Sequence, residues 1–329
     1  MARCSVLTAP VFRLHDNPGH PENQTRLEKA LSGVPQNILR FTAEPAALAD
    51  VGTIHNPYYL SWLEQRCAAT KEIGYLDADT YITPHSFEVA LHAAGAAIGA
   101  AERSRDGEHC FAMVRPPGHH AGDDRAMGFC LLNNSAIAAA RLLTCVDRVA
   151  IIDWDVHHGN GTQSAFYSSD RVLYCSTQQE NLFPYSGSTD ETGTGAGRGY
   201  TINAPLQIGS GIADYYHVFS EVFVPALERF RPDAVIVSAG QDILADDPLG
   251  GMRIMPGDFQ LLTDMVAGAA GVPLALVLEG GYGDSVGPAI SHIFAALCRG
   301  SSTGHRQPGS PYESTGRTVS ILKKVHRLG

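Results

Sequence analysis

The sequence predicts a single-domain α/β fold with a central, mostly parallel β-sheet and helices on both faces. Short apolar runs rich in β-branched residues alternate with longer helical stretches. This pattern is typical of parallel strands that are buried between covering helices. The chain has 329 residues, a length that one α/β domain accommodates, and we see no internal repeat or linker. We expect the domain to span residues 1–300 and residues 301–329 to form a C-terminal tail that packs on it or trails it.

The predicted strands are continuous apolar runs, each followed by polar or glycine-rich residues that end it. They are Cys110–Val114, Val149–Ile152, Val172–Ser176, Ala234–Ser238 and Leu274–Leu278. The predicted helices are Ser86–Glu102, Ser135–Leu143, Asp214–Phe230, Gly257–Ala270 and Asp284–Cys298. Ser86 and Ser135 are candidate N-caps, and Pro225 argues against one straight helix around it. The segment Gln178–Gly199 is rich in Gly, Ser and Thr, which predicts a long ordered loop. Long loops inside a compact domain usually have a function.

Composition excludes several classes of protein. The 24 Lys and Arg residues against 34 Asp and Glu give a net charge of −10, which argues against binding to nucleic acid. We see no signal-peptide layout and no apolar run of about 18 residues, so we expect no membrane contact and a cytoplasmic location. The seven cysteines include no Cys-x-x-Cys pair, which favours reduced thiols. Only the segment from His305 to Arg327 is visibly basic, and we expect it to be a solvated end.

Side chains that can bind metals or take part in acid–base catalysis are concentrated directly after four of the predicted strands. The loops RPPGHHAG, DWDVHHGNG, AGQDILADDP and EGGYG carry His119, His120, Asp153, Asp155, His157, His158, Asn160, Asp242, Asp246, Asp247, Glu279 and Tyr282. In open α/β sheets, ligands bind outside the carboxyl ends of the strands. We therefore expect the four loops to meet at one crevice.

Three of these residues suggest a metal site. Asp155 and His157 are two positions apart, so both point to one side if the chain stays extended. With Asp242 from another strand end they form a set of oxygen and nitrogen ligands. Three protein ligands leave one position open for water, which is the catalytic rather than the structural arrangement of zinc.

The remaining polar residues are candidates for acid–base chemistry. The adjacent His119 and His120 would exchange protons, and Asp153 and Asn160 would orient them. Tyr282, which follows two glycines, would donate a hydrogen bond to a developing oxyanion. A lone histidine is usually structural, but two histidine pairs at separate strand ends are difficult to explain by packing.

The sequence resembles the zinc-dependent histone deacetylase superfamily, the arginase-fold deacetylases that include acetylpolyamine amidohydrolases. The resemblance runs from about His15 to Cys298 and rests on HPENQTRL, DADTYITPHSF, RPPGHHAG, GFCLLNNSAIAA, DWDVHHGNGTQ, SAGQDILADDPLGG and EGGYG. Asn160, DPLGG and HHGNGTQ resemble the class II and bacterial branch. The resemblance implies an arginase/deacetylase-like fold and a histone deacetylase-like catalytic domain over residues 1–300.

The resemblance also implies roles for individual residues. The implied zinc ligands are Asp155, His157 and Asp242. The implied catalytic residues are His120 as general base with Asn160, His119 with Asp153, and Tyr282 at the transition state. The implied substrate-binding residues are Gly128, Phe129, Phe183, Leu249 and Gly280. A structural potassium ion would use Asp153, Asp155, His157, Ser176 and Thr177, and a second potassium site would lie around Phe166, Ser169, Val172 and Tyr200. Asp79 and Arg26 match rim and inner-channel positions loosely.

The leading hypothesis is a zinc amidohydrolase that deacetylates lysine-like amines in proteins, peptides or small molecules. An acetylpolyamine amidohydrolase is the alternative, but Leu249 stands where the polyamine-preferring class II relative carries a glutamate, so we expect acetyl-lysine peptides to be preferred. A binuclear manganese ureohydrolase needs an aspartate where this chain has Gly159. A catalytically silent acyl-lysine-binding protein would lack a histidine or Tyr282. Gln178 and Gln241 depart from the usual family pattern beside the predicted metal site.

Overall fold

The fold is built on an eight-stranded sheet. The structure is a computed structural model, and it describes residues 3–299 and 308–328. All neighbouring strands of the sheet run parallel, in the order β2-β1-β5-β10-β9-β6-β7-β8, and β3 and β4 form a separate antiparallel pair. The strands are β1 Cys4–Thr8, β2 Leu39–Thr42, β3 Gly74–Tyr75, β4 Tyr81–Ile82, β5 His109–Ala112, β6 Val149–Asp153, β7 Val172–Gln179, β8 Thr201–Leu206, β9 Ala234–Ala239 and β10 Leu274–Leu278.

Helices flank this sheet. They are α1 Gln24–Ser32, α2 Leu48–Val51, α3 Pro57–Ala68, α4 Ser86–Arg105, α5 Asn134–Leu142, α6 Asn160–Phe166, α7 Ile212–Val218, α8 Val224–Phe230, α9 Asp258–Ala270, α10 Val286–Arg299 and α11 Glu313–His326. Helices α4 and α5 pack together against the strands, and α1, α8, α9 and α10 form a second group. Backbones approach closely between α1 and α10, because a Cβ at Gly33 would lie 1.9 Å from the carbonyl oxygen of Gly287.

The predicted fold class is confirmed, and the five predicted strands are the inner strands β5, β6, β7, β9 and β10. Their residues are almost entirely buried, which explains why they read as continuous apolar runs. The sheet is wholly parallel. Five strands were not predicted. Three of them, β1, β2 and β8, lie at the margins of the main sheet, and β3 and β4 form the separate pair.

Both serine N-cap predictions were wrong. The residue before α4 is His85, and the Ser86 hydroxyl accepts a hydrogen bond from the upstream Thr83 amide at 2.7 Å. Helix α5 is capped by Asn133, whose side chain accepts from Ala136 N at 3.0 Å. In both segments the serine lies inside the first turn, where its own hydroxyl is not aligned with the free amides.

The helix around Pro225 is interrupted, as its sequence predicts. Helices α7 and α8 are joined by a π-helical turn over Phe219–Phe223, and Pro225 follows in the first turn of α8. Proline has no amide hydrogen and clashes with the preceding turn, so the wider turn accommodates it without ending the helix. The predicted loop begins after Gln179 and ends before Thr201, with one 3-10 turn inside it.

The expectation of a solvated C-terminal end is wrong for residues 313–328, while residues 300–307 and 329 lie outside the described residues. Helix α11 packs against β8 and α7, and it buries Val319 and Leu322. The charged face of this amphipathic helix accounts for the basic composition. Across the described ranges, no helix has both the length and the apolar character needed to cross a bilayer.

Candidate active site

Four strand ends form the candidate site, as expected. Strands β5, β10, β9 and β6 are consecutive in the sheet, so the loops that follow them meet at its carboxyl edge. The loops enclose a narrow tunnel of about 140 Å³. It is lined by Asp79, Pro117, His119, His120, Gly128, Phe129, Asp155, His157, Phe183, Asp242, Leu249, Gly280 and Tyr282. Of the predicted catalytic residues, only Asp153 and Asn160 do not line it, and both contact the histidines from behind.

The predicted metal ligands converge at the tunnel floor. Ligand atoms of Asp155, His157 and Asp242 all lie within 4.8 Å of one another. Nδ1 of His157 is 3.2 Å from Asp155 Oδ1 and 3.3 Å from Asp242 Oδ2. The close approach of the β10 loop requires Gly280, because a Cβ there would lie 2.1 Å from Asp242 Oδ2.

The electrostatics of this cluster fit a bound cation. Both carboxylates are fully buried, and Asp242 Oδ2 accepts no hydrogen bond from any described residue. Burial and the charge of Asp155 raise the pKa of Asp242 to about 8. Burial opposes a charge on His157, but the two carboxylates outweigh it and raise its pKa to about 10. A cation bound between the two carboxylates would displace the proton from His157, because a histidine binds a metal in its neutral form.

The two histidines of the β5 loop have different partners. Nδ1 of His119 lies 3.1 Å from Asp153 Oδ2, and Nδ1 of His120 lies 2.7 Å from the Asn160 side-chain oxygen. Burial opposes a charge on His119, yet Asp155 and Asp153 raise its pKa well above the usual value. Burial and the neighbouring His119 lower the pKa of His120 well below it. His120 is therefore neutral at pH 7, with Nε2 available to accept a proton.

Tyr282 is held above the floor as a hydrogen-bond donor. Burial raises the pKa of its hydroxyl well above the usual value, so the group keeps its proton at neutral pH. The Arg26 guanidinium lies 5.0 Å from the centre of the Tyr282 ring. Arg26 also donates to the carbonyl oxygens of Gly281, at 2.8 Å, and Glu279. The loosely matched inner-channel arginine thus holds the backbone segment that immediately precedes this tyrosine.

The tunnel walls depend on an unusual backbone segment. Gly128 has φ +55°, and a Cβ there would lie 2.5 Å from His120 Cδ2. Phe129 has φ 69°, a left-handed conformation that residues other than glycine adopt rarely. Its amide donates to the Thr80 hydroxyl at 3.1 Å, which holds it there. Phe183 forms the facing wall, with its ring 5.2 Å from that of His120.

Glu279 has a structural role in the site that the sequence did not reveal. Its buried carboxylate accepts from the amides of Gly118 and His119 at 2.7 and 3.1 Å. It also accepts from the hydroxyls of Ser135 and Ser238, each at 3.1 Å. The position of Glu279 at the end of a buried strand was the available signal, because a buried carboxylate needs several donors.

Asp247 joins two loops of the site, although an aspartate directly before a proline can be a simple turn former. Its carboxylate is 6% exposed and accepts from the amides of Tyr282 at 2.6 Å, Gly283 at 3.1 Å and Leu249 at 2.9 Å. The neighbouring Asp246 is exposed and accepts from Ser285 N at 2.9 Å. Asp247 is therefore a positioning residue for the tyrosine and for the tunnel rim.

Asp247→Asn is expected to lower kcat about 10- to 100-fold, since small misplacements of a catalytic group have effects of that size. Acting through Tyr282, it should add little to Tyr282→Phe in the double variant. Steady-state kinetics of both single variants and the double variant measure this coupling, with Asp246→Asn as the matched control. Additive losses would contradict the positioning role.

The residues of the predicted first potassium site are also adjacent. Asp153 pairs with Ser176 across β6 and β7, and the buried hydroxyl of Thr177 has no hydrogen-bond partner among the described residues. Gln178, one of the departures from the family pattern, donates to the carbonyl oxygen of Gly187 at 2.5 Å. It thereby anchors the loop that carries Phe183. The other departure, Gln241, bonds locally to the carbonyl oxygen of Ala239 at 2.7 Å.

The comparisons with known proteins assign this parallel sheet, with its cluster of histidines and carboxylates, to an enzyme of the deacetylase class. The histone deacetylase domain model matches residues 20–297, and the chain belongs to this family. It is 41% identical over 303 residues to the histone deacetylase-like amidohydrolase of Pseudomonas aeruginosa, covering 86% of this chain and 78% of that protein. A probable deacetylase of Archaeoglobus fulgidus is 41% identical over 280 residues, covering 81% and 77% of the two chains. The crystal structure of the HDA15 HD domain superposes with a TM-score of 0.92 at 32% identity, covering 99% of this chain and 94% of that one.

Proposed function

We propose that this deacetylase is a zinc-dependent amidohydrolase that removes the acetyl group from acetyl-lysine in peptides. The observation that carries the proposal is the convergence of three metal-ligating side chains, a neutral histidine and a protonated tyrosine at the floor of one tunnel. Phe129 and Phe183 wall that tunnel, and their rings would pack against the methylenes of a lysine side chain.

Asp155, His157 and Asp242 would hold the zinc ion. Their oxygen and nitrogen atoms are ligands that zinc accepts, and three of them leave a position for water or substrate. Zinc bound there would supply Lewis acidity, which polarises a carbonyl group and lowers the pKa of water. Asp242 Oδ2, a buried oxygen that accepts no hydrogen bond from the described residues, supports this assignment.

The protein's own groups would handle the protons. Nε2 of His120 accepts a proton from the attacking water, because Nδ1 is directed to Asn160 and the low pKa of this histidine keeps it neutral. The Tyr282 hydroxyl donates to the oxyanion that develops on the amide carbonyl. His120, now protonated, returns its proton to the departing lysine amine. His119 stays cationic beside Asp153 and adds positive charge near the oxyanion.

The alternative of a binuclear manganese ureohydrolase lacks structural support. A binuclear manganese site would need a carboxylate at position 159, but a Cβ on Gly159 would lie 2.3 Å from Asp153 Oδ2 and 2.6 Å from the Tyr174 hydroxyl. A silent acyl-lysine-binding protein would not need both a neutral base and an oxyanion donor.

A metal assay separates these classes. The purified protein should contain about one zinc per chain and hydrolyse a fluorogenic acetyl-lysine substrate. A chelator should abolish that activity, and added zinc should restore it. Activity that survives complete removal of the metal would exclude the zinc mechanism, and binding of the substrate without hydrolysis would favour the silent protein.

The acidic residues near the mouth bear on the choice between peptides and acetylpolyamines. Leu249 lines the tunnel, and it cannot attract a second amine as a glutamate would. Three other acids are candidates to replace that charge. Glu22 is buried against Arg115 at 2.8 Å, and Glu191 accepts from Gln163 at 2.5 Å. Asp79 lines the tunnel and is exposed.

We expect a higher kcat/KM for acetyl-lysine peptides than for acetylated spermidine or putrescine. Leu249→Glu should shift the ratio toward the polyamines by up to about fivefold, the size of an exposed ion pair. Leu249→Gln is the neutral control. A wild-type preference for polyamines would assign the alternative function.

The first potassium site is a further part of the proposal. Asp153, Asp155, His157, Ser176 and Thr177 would hold a structural potassium ion, and the unpartnered Thr177 hydroxyl supports it. The second potassium site, the cytoplasmic location and the absence of nucleic-acid and membrane partners stay predictions.

A further inference from the structure

A second concave surface, which we call the aromatic groove, lies next to the tunnel. It has a volume of about 380 Å³ and is formed by helix α3 and two loop segments. Its lining residues are Asn56, Tyr58, Tyr59, Trp62, Leu76, Asp124, Arg125 and Ala126. The tunnel chemistry described above uses none of them.

Aromatic rings form one side of the groove and are open to solvent. Tyr58 is 87% exposed and Trp62 is 48% exposed. The Trp62 ring stacks on Tyr59 with a centroid distance of 5.9 Å. Tyr59 itself is fixed, because its buried hydroxyl donates to the Leu131 carbonyl oxygen at 2.7 Å. Exposed aromatic rings on a rigid support are typical of binding surfaces.

The groove and the tunnel share a dividing wall. Leu76 lines the groove and Asp79 lines the tunnel, while on the second loop Ala126 lines the groove and Gly128 the tunnel. Two to three residues of extended chain span at most about 10 Å. A peptide whose acetyl-lysine occupies the tunnel therefore reaches the groove within a few residues.

The negative charge of this wall favours a cationic ligand in the groove. The segments 76–79 and 123–126 carry the exposed carboxylates Asp77, Asp79, Asp123 and Asp124, against the single guanidinium of Arg125. A cation gains both from this negative charge and from the faces of tyrosine and tryptophan rings. An acidic or neutral side chain would be bound less strongly by these groups.

We propose that the aromatic groove binds an arginine or lysine side chain of the acetylated peptide, a few residues away from the acetyl-lysine. This inference rests on the proposed deacetylase function and deepens it, because it makes the substrate a cationic peptide. Arginine is favoured over lysine, since its planar guanidinium stacks on aromatic rings.

The test compares substrates that do and do not reach the groove. Two pairs of acetyl-lysine peptides carry arginine or alanine, one pair three residues before the acetyl-lysine and the other three residues after it. The fifth substrate is a single capped acetyl-lysine. The variant is Tyr58→Ser/Trp62→Ser. Tyr75→Ser is the matched control, because Tyr75 is 48% exposed on the neighbouring hairpin and lines neither cavity.

We expect the wild type to favour one arginine peptide over its alanine counterpart by about fivefold in kcat/KM, the size of an exposed cation–π contact. The preference should fall as ionic strength rises. The double variant should lose it without losing activity on capped acetyl-lysine, and Tyr75→Ser should keep it. No preference in the wild type, or the same preference in the double variant, would overturn the proposal. So would an equal effect of the double variant on acetylated spermidine.

Binding can be measured apart from hydrolysis. Trp62 is one of two tryptophans, and the other, Trp154, is fully buried, so peptide binding should change the Trp62 fluorescence. The arginine peptide should bind the wild type more tightly than it binds Tyr58→Ser. Selective binding without hydrolysis would keep the groove and reject the deacetylase function. Hydrolysis of all the peptides with equal binding would support the deacetylase function and reject the groove as a binding site for arginine.

Discussion

Asp242→Ala is expected to give a folded protein that retains no zinc and hydrolyses no acetyl-lysine amide. Loss of one of three ligands should weaken zinc binding by more than the roughly 10- to 100-fold loss of affinity that follows mutation of residues that only contact the ligands. The fold should survive, because the loss of the hydrogen bond from Val156 N to Asp242 Oδ1 at 2.9 Å is offset by two gains. The substitution removes a buried carboxylate oxygen that has no hydrogen-bond partner among the described residues, and it removes the repulsion from Asp155.

The measurement is metal content after dialysis, with circular dichroism to verify folding. Asp246→Ala is the matched control, since Asp246 lies on the same loop with its carboxylate in solvent. Stoichiometric zinc in purified Asp242→Ala would reject the ligand assignment.

Tyr282→Phe should lower kcat by roughly 10²- to 10³-fold, or about 2.7–4 kcal/mol, the range for the loss of one oxyanion donor. The ring keeps its edge contact with Phe129 at 5.8 Å and its place beside Arg26, so only the hydroxyl is lost. Zinc content and KM should change little. The check is the steady-state rate at saturating substrate, and a near-normal kcat would remove Tyr282 from the mechanism.

The sequence predicted the centre of the fold better than its margins, for a physical reason. The inner strands are buried on both faces and are continuous apolar runs. Strand β2 is mostly exposed, and β8 contains Pro205, so neither has that pattern. The edge strand β2 needs only part of its surface covered, so its sequence is mixed. Strand β8 is buried at five of its six residues, and its apolar run is instead interrupted by Thr201, Asn203 and Pro205.

A similar limit applies to the site. The strand-end rule brought the candidate metal and acid–base residues together, because their positions follow from the topology of a parallel sheet. The roles of Asp247 and Glu279 depend on which backbone amides lie beside their carboxylates. Asp247 accepts from Tyr282 N, 35 positions away along the chain, and Glu279 accepts from Gly118 N, 161 positions away. Local sequence carries no information about such pairs.

Helix α11 has a consequence for association between copies of the chain. Strand β8 is the last strand of the sheet, and the outer backbone groups of such a strand can template the addition of a foreign strand. Pro205 removes one amide donor from this strand, and Thr318 of α11 donates its hydroxyl to the Pro205 carbonyl oxygen at 3.5 Å. The C-terminal helix thus protects the sheet against self-assembly at this edge, and a chain that ended before α11 would be prone to aggregate there.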